Sequence, residues 1–276
     1  LDAEMAEALK AMGFNRLSMG VQAWQNKLLK ALGRIHTIEQ FQKNFKAVRE
    51  AGFENVNVDL MFALPNQSME DWQETVREIA ALQPEHISAY SLIMEEGTPF
   101  FEQYEKGLLE LVEEDLDREM YHWAIGYLKK AGYRQYEISN FAKEGKQSRH
   151  NRIYWQAEEY LGMGLGAHSY MEGTRFHNPY DLQEYIAAKG QNKKEDIEQI
   201  TKEDAMGEFM FLGLRLTEGV SYARFRERFG KEMQEVYAEQ ITDLEKMELL
   251  EADETGLRLT AKGIDVSNFV FEKFLL

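Results

Sequence analysis

Residues 51–65, AGFENVNVDLMFALP, place a helix end, a glycine, an aromatic residue and an apolar strand in direct succession. A glycine just past a helix end takes the left-handed conformation that caps the helix, and the aromatic after it packs back on the last turn. The strand VNVDLMFAL is nearly continuous in apolar residues, which is typical of a strand covered on both faces. The segment therefore predicts a helix that leads directly into a buried strand.

The same succession occurs twice more in the chain. Residues 12–14, MGF, precede RLSMGVQ, and residues 131–133, AGY, precede RQYEIS. Between the second and third of these joints, residues 69–82 predict a further helix, which leads into the strand HISAYSL. Strands that alternate with helices form a parallel sheet, so we predict an α/β fold.

The polar run QNKKEDIEQITKED after Gly190 predicts a boundary near residue 200, and thus two domains, residues 1–200 and 201–276. In the second domain, three predicted helices precede two short strands around a Glu-Thr-Gly turn, which is the element order of a winged-helix domain. Such domains often bind DNA. Residues 201–276 contain 16 acidic and 10 basic residues, and this balance argues against nucleic acid.

Composition narrows the function classes further. The chain has 32 basic and 48 acidic residues, a net charge of −16 that repels phosphate backbones, so we expect no nucleic-acid partner. It has no cysteine, which excludes disulfides, thiol nucleophiles and cysteine-ligated clusters within these residues. No apolar run approaches the roughly 20 residues that cross a bilayer, and the N-terminus is acidic, unlike a signal peptide. We therefore expect a cytoplasmic protein, and because Leu1 is not an initiator methionine, we expect further sequence upstream.

Polar residues at the carboxyl ends of the predicted strands are candidates for ligand binding, because ligands of parallel β/α folds gather there. Gln22 ends RLSMGVQ, and Asp59 lies within an apolar strand, where a carboxylate needs a hydrogen-bonded or charged partner. That partner is either a neighbouring loop amide or a ligand. Arg34, in LGRIH after the first strand, offers a planar donor fork to a carboxylate or a ribose hydroxyl, or forms a surface ion pair.

The segment YLGMGLGAHSY, residues 160–170, has glycines at every second position from 162 to 166. It does not match a nucleotide-binding fingerprint, since the spacing is GxGxG and no helix follows. We predict a glycine-rich strand against which a ligand or loop lies. His168 at its end either contacts that ligand or packs in the core.

The hexapeptide HNRIYW, residues 150–155, concentrates imidazole and aromatic groups. At helical spacing His150 shares a face with Tyr154, and Asn151 shares a face with Trp155. A neutral imidazole is a common axial ligand of haem iron, and flat aromatic side chains suit a porphyrin face. The alternative is that the segment anchors a loop.

Eight segments together resemble the oxygen-independent coproporphyrinogen III oxidase-like radical SAM family: RLSMGVQ, LGRIHT, NVNVDLMFALPNQS, HISAYSL, EEGTPF, YEISNFA, HNRIYW and LGMGLGAHSY. The match spans nearly the whole chain, and HNxxYW is typical of the HemW branch, whose members are regarded as haem chaperones. The resemblance implies the second half of a partial, TIM-like β/α barrel followed by a small winged-helix-like C-terminal domain. It also implies a [4Fe–4S] cluster on a CxxxCxxC loop, which we expect upstream of this chain.

The resemblance further implies ligands and functions. It assigns S-adenosylmethionine to five residues: Gln22, Arg34, Asp59, Ala89 and His168. It assigns haem to four residues, with the first as the iron ligand: His150, Asn151, Tyr154 and Trp155. The predicted function is to bind haem and transfer it to acceptor proteins.

Two other functions are kept as alternatives, namely oxidative decarboxylation of coproporphyrinogen III by a 5′-deoxyadenosyl radical, and regulation by a DNA-binding winged helix. A barrel without its first strands would expose the edge of RLSMGVQ, from which we expect a homodimer or other self-association.

Overall fold

The structure is a computed structural model that describes residues 1–188 and 194–275. The chain forms two compact units, Leu1–Gln147 and Ser148–Leu276. This division lies about fifty residues before the boundary predicted near residue 200, because the short helix of HNRIYW packs against a helix of the second unit. Within the described residues, no helix is long and apolar enough to cross a membrane.

The first unit contains six helices and five strands in its described residues. In chain order they are α1 (Ala3–Ala11), β1 (Leu17–Gln22), α2 (Asn26–Ala31), α3 (Ile38–Glu50), β2 (Val56–Phe62), α4 (Met69–Ala81), β3 (His86–Ser91), α5 (Pro99–Glu105), α6 (Glu114–Lys130), β4 (Arg134–Glu137) and β5 (Asn140–Ala142). The strands form one sheet in the order β1-β2-β3-β5-β4.

The parallel sheet predicted from the helix and strand alternation is confirmed for β1, β2 and β3. The remaining strands differ from the prediction. After β4 the chain turns back at once, and β5 inserts between β3 and β4 with antiparallel pairing on both sides. The polar end of YRQYEISN is therefore the turn and return strand of a hairpin.

The joints between helix and strand follow one hydrogen-bond pattern. At the second joint Gly52 has φ 86°, its N–H donates to the Arg49 carbonyl, and the N–H of Phe53 donates to the Val48 carbonyl. These two bonds make a Schellman motif, which needs a left-handed residue at the glycine position. The other two joints have the same bonds. The aromatic of the third joint is buried as predicted, whereas Phe14 of the first joint is 52% exposed.

The sheet has one apolar and one polar face, and every residue of β2 is buried or half-buried, as predicted for a strand covered on both faces. Alternate residues of β2, from Val56 to Phe62, are buried apolar side chains. Helices α4 and α6 pack together over this side, where the buried Trp72 indole donates to the Met120 carbonyl at 2.8 Å. Asn57 and Asp59 alternate with the apolar residues and point to the opposite face.

The second unit contains seven helices and six strands in its described residues. They are α7 (Arg149–Trp155), β6 (His168–Met171), β7 (Thr174–His177), α8 (Leu182–Ala187), β8 (Glu195–Gln199), α9 (Lys202–Gly213), β9 (Val220–Ser221), α10 (Tyr222–Phe229), α11 (Met233–Lys246), β10 (Leu250–Ala252), β11 (Gly256–Leu259), α12 (Ala261–Asp265) and α13 (Ser267–Glu272). Strands β6, β7 and β8 form one antiparallel sheet, and β10, β11 and β9 form another.

The predicted winged-helix order is present from α9 to β11, with β9 added as the third strand of the small sheet. The prediction of a glycine-rich strand is wrong. Residues 161–167 form no strand, and Gly164 and Gly166 have φ 114° and 64°, which the extended chain of a strand does not allow. His168 accordingly begins β6 and does not end a strand.

Candidate functional site

The polar face of the first sheet carries a set of interlocked side chains, built around the buried amide of Asn57. Its Nδ2 donates to Ser18 Oγ and to Asp59 Oδ1, both at 2.7 Å. Ser18 Oγ donates in turn to Asp59 Oδ2 at 2.9 Å. Parallel register explains the arrangement, because Ser18 pairs with Asn57 across the two strands.

The other end of the Asn57 amide faces β3. Its Oδ1 lies 2.6 Å from Nδ1 of His86 and accepts from Ser88 Oγ at 3.2 Å. His86 is fully buried, and its Nε2 lies 2.9 Å from the hydroxyl of Tyr136 on β4. Burial, reinforced by the charge of Arg16, lowers the pKa of His86 to about 3.

We refer to the six side chains joined by these bonds as the polar network: Ser18, Asn57, Asp59, His86, Ser88 and Tyr136. The predicted need of Asp59 for a partner is confirmed. Its partners are side chains of the sheet and not a loop amide. Asp59 is half-buried, so its carboxylate remains partly accessible.

Of the predicted S-adenosylmethionine residues, Gln22 contacts the phenol of Tyr90, and the charges of Asp59 and Arg34 act on it. Gln22, at a bulge where β1 ends with φ 71°, accepts a hydrogen bond from the Tyr90 hydroxyl at 3.2 Å. Burial raises the pKa of Tyr90, and the charge of Asp59 raises it further, whereas the charge of Arg34 lowers it. Gln22, Asp59 and Arg34 therefore act on one phenol: the buried Gln22 accepts its hydrogen bond, and the half-buried Asp59 and the exposed Arg34 act through their charges.

The other two predicted residues are Ala89 and His168. Ala89 is buried and lies between Ser88 and Tyr90 in β3, so its side chain belongs to the apolar face and only its backbone could contact a ligand. Its N–H already donates to the Ser139 carbonyl at 2.8 Å. His168 lies in the second unit.

His168 is exposed and belongs to an aromatic cluster. Its Nε2 lies 3.0 Å from the hydroxyl of Tyr180, and its ring centroid is 5.1 Å from that of His177. His177 is the buried histidine of this pair, bonded to the Asn178 carbonyl at 2.7 Å and to Asp196 at 3.0 Å. The Asn178 carbonyl and the Asp196 carboxylate raise the pKa of His177. One interpretation of His168 was a histidine packed in the core, and the histidine that has this environment is His177.

Helix α7 contains the motif HNRIYW. The side chain of Ser148 caps it by accepting from the N–H of Asn151, at 3.3 Å. As the helical spacing predicts, the rings of His150 and Tyr154 lie edge to face, with centroids 4.8 Å apart, and Tyr154 contacts Tyr160 in the same way at 4.6 Å. His150 is exposed, and its ring nitrogens have no hydrogen-bond partner among the described residues.

Trp155 belongs to a different environment from His150. The Arg215 guanidinium lies 4.4 Å from the centroid of its ring, and it lines a cavity of about 220 Å³ against the winged-helix elements. Of the two interpretations of HNRIYW, the anchoring of a loop therefore applies to Trp155. His150 and Tyr154 form an accessible pair.

Family models and curated relatives match both units of the chain. Residues 1–79 match the Radical SAM superfamily model, and residues 200–266 match the HemN C-terminal domain model. The chain is 40% identical over its whole length to Heme chaperone HemW of Lactococcus lactis and covers 73% of that protein. The HemW of Bacillus subtilis is 41% identical, again with 73% of its length covered. The chain belongs to the HemW family.

The fold of this HemW family member matches a solved structure, the radical SAM coproporphyrinogen III oxidase HemN from Escherichia coli. The TM-score is 0.80 at 21% sequence identity, with 100% of this chain and 67% of HemN covered. The predicted family and the predicted barrel-like α/β fold with its C-terminal domain are both confirmed.

Most of the polar network in this HemW family member was not predicted from the sequence, in particular Asn57, His86 and Tyr136. A signal was present for the first two. In VNVDLMF, Asn57 and Asp59 alternate with apolar residues, and His86, Ser88 and Tyr90 alternate in the same way in HISAYS. A period of two in a strand indicates one polar face. No comparable pattern marks Tyr136, because β5 inserts between its strand and β3.

Proposed function

We propose that this chain binds haem as cargo and passes it to acceptor proteins, with the imidazole of His150 as the iron ligand. The observation that carries the proposal is the exposed His150 ring, held edge to face against Tyr154. Membership of the HemW family supports it, since curated relatives bear the name Heme chaperone HemW.

The chemistry of the pair suits reversible binding. An imidazole nitrogen without a hydrogen-bond partner is available to coordinate iron, and the edge-to-face contact with Tyr154 limits the orientations of the ring. Tyr154 in turn contacts Tyr160, so aromatic surface lies next to the ligand. An exposed position allows an acceptor protein to approach the bound haem, which a buried pocket would prevent.

Titration of haem into the protein tests this function. We expect saturable binding of one haem per chain, with the Soret band of a histidine-ligated iron. A linear, non-saturating rise in absorbance would mean non-specific association of haem with apolar surface, and the proposal would be abandoned. Release is then measured by mixing the loaded protein with an apo haem protein and following the shift of the band.

The Radical SAM superfamily match implies S-adenosylmethionine and a [4Fe–4S] cluster. We propose that Gln22, Arg34 and Asp59 hold the polar part of S-adenosylmethionine, since an accessible carboxylate suits its ammonium or hydroxyl groups and a guanidinium suits its carboxylate. The residues present do not fit the cluster, because the 276 residues include no cysteine to hold its iron atoms.

Strand β1 is the first strand of its sheet, and no described strand pairs with its outer edge. We propose that this edge supports self-association, because its unpaired N–H and C=O groups are a template for another strand. Light scattering over a range of protein concentrations tests this, and a constant monomer mass would contradict it.

A further inference from the structure

The Asn57 amide has a defined orientation, which follows from its neighbours. An ionised carboxylate only accepts hydrogen bonds, so the nitrogen of the amide must face Asp59. The oxygen then faces His86 and Ser88. With Asn57 only 4% exposed, water does not offer alternative partners that would allow the amide to rotate.

The orientation of Asn57 determines the tautomer of His86. An amide oxygen has no hydrogen to donate, so the His86 nitrogen that faces it, Nδ1, must carry the proton. The ring is neutral, since burial keeps its pKa near 3, and its Nε2 therefore accepts from the Tyr136 hydroxyl. The ring of Tyr136 lies at 65° to the imidazole with centroids 5.6 Å apart, so a packing contact accompanies the hydrogen bond.

We infer that His86 is a positioning residue, which acts through Asn57 to aim the Asp59 carboxylate at S-adenosylmethionine. The inference rests on the proposed S-adenosylmethionine site. Each step of the chain of bonds is a donor matched to an acceptor: Tyr136 to His86, His86 to Asn57, and Asn57 to Asp59. Neither His86 nor Asn57 needs to touch the ligand, because Asp59 is the member of the chain that remains accessible.

A packing role for His86 makes a different prediction from a positioning role. If the ring only filled space, any side chain of similar volume would serve. If Nδ1–H orients Asn57, a replacement must keep a donor at that atom. Asparagine places its amide nitrogen where Nδ1 of histidine lies, whereas glutamine places its amide group near Nε2, so these two substitutions separate the two hydrogen bonds of the ring.

The experiment compares wild type, His86→Asn and His86→Gln by NMR titration with S-adenosylmethionine. We expect His86→Asn to bind within about threefold of wild type and His86→Gln to bind on the order of 10-fold more weakly, the effect of losing one hydrogen bond near a charged group. Equal affinities for the two variants would overturn the inference. Tyr136→Phe is expected to weaken binding less than His86→Gln, because it leaves Nδ1 in place.

The control is Tyr133→Phe, which removes the hydroxyl of another buried tyrosine, bonded to the Pro84 carbonyl at 2.7 Å and outside the polar network. It reports any loss of affinity that comes from reduced stability alone, and circular dichroism confirms that each variant folds. If Tyr133→Phe weakens binding as much as His86→Gln, the effect is structural and the inference fails.

Two NMR readouts in the ligand-free protein keep this inference distinguishable from the S-adenosylmethionine proposal. The nitrogen shifts of His86 must show a protonated Nδ1 and an unprotonated Nε2; the reverse tautomer would overturn the inference. The carboxyl carbon shift of Asp59 must be the same in wild type and His86→Asn and displaced in His86→Gln. If these hold but no protein binds the ligand, the orientation of Asp59 by His86 stands and the proposed ligand is wrong.

Discussion

The polar network of the first unit and the His150–Tyr154 pair of the second unit hold their functional groups in opposite ways. In the network, the register of paired strands fixes each side chain, and the amide of Asn57 alone contacts four other groups. On α7, the ring of His150 stands at the surface with one aromatic neighbour. We therefore expect the proposed ligand binding to be coupled to folding in the first region and separable from it in the second.

The difference follows from how each region is built. A strand within a sheet is held on both sides, so its polar groups must be satisfied by each other when they are buried. Helix α7 has seven residues, none of them buried, and it packs against α9 of the same unit. An exposed group costs nothing to leave unpaired, because water solvates it until a ligand arrives.

The largest expected effect is on haem binding by His150→Ala. Removal of the imidazole removes the proposed bond to iron, so we expect the histidine-ligated Soret band to disappear on titration. Because the ring is exposed, the stability of the protein should change by no more than about 0.5 kcal/mol. His168→Ala, a second exposed histidine, is the matched control and should bind haem as wild type does. An unchanged band in His150→Ala would place the iron ligand elsewhere, with His168 or His177 next to be tested.

The second prediction concerns stability in the polar network. Asn57→Leu removes the shared partner of Asp59, His86 and Ser18, of which His86 is fully buried, and a buried group that loses its partner costs roughly 1 to 3 kcal/mol. We expect a loss of about 3 kcal/mol, measured by native-state hydrogen exchange at amides of β2. Asn151→Leu on α7 is the same substitution in the other region and should cost far less. Equal losses would contradict the coupling of fold and site in the first region.

The fold was predictable where sequence pattern and local chemistry agree. The glycine and aromatic joints identified the helix ends, and the alternation of helices and strands identified the parallel strands. The β4–β5 hairpin was not predictable from periodicity, since three residues of return strand carry no pattern of their own. The glycine-rich segment was misassigned because glycine at every second position resembles strand spacing, whereas its left-handed residues require turns.

The candidate site was predictable only in part. Gln22, Arg34 and Asp59 were predicted separately as ligand-binding residues. In the structure Gln22 accepts a hydrogen bond from Tyr90, and the charges of Arg34 and Asp59 shift the pKa of Tyr90. Ala89 was assigned to S-adenosylmethionine by the family resemblance alone, and its position in β3 places its side chain on the apolar face of the sheet. Which side chains form hydrogen bonds in a buried network depends on the distances between neighbouring strands. The spacing of residues along the sequence does not give these distances.

The third prediction is a change in ligand affinity. Asp59→Ala removes the carboxylate that the network orients, and a hydrogen bond to a charged partner is worth roughly 1.5 to 3 kcal/mol. We expect S-adenosylmethionine to bind roughly 10- to 100-fold more weakly. Asp115→Ala removes an exposed carboxylate on α6 and should have no effect. An unchanged dissociation constant for Asp59→Ala would leave Asp59 with a purely structural role.

The smallest expected effect is the pH dependence of stability, which has opposite signs for the buried histidines of the two units. The folded pKa of His86 is about 3, below the ordinary value of 6.5, so the unfolded chain binds a proton that the folded protein does not. The neutral His86 ring makes its full contribution to the free energy of unfolding above pH 6.5. This contribution is lost as the pH falls toward 3. The folded pKa of His177 is raised, so its contribution is complete below pH 6.5 and is lost as the pH rises.

For His86 the loss amounts to about 1.4 kcal/mol at pH 5.5, one pH unit below the unfolded pKa. Hydrogen exchange of the β2 amides at pH 7.5 and pH 5.5 measures it, with His86→Asn as the variant that cannot titrate. Wild type should lose about 1.4 kcal/mol more than His86→Asn between these values, while His177→Asn should show a difference of the opposite sign for amides of β7. Equal pH dependence in wild type and His86→Asn would mean that His86 takes up its proton in the folded state, and a protonated Nε2 could no longer accept from Tyr136.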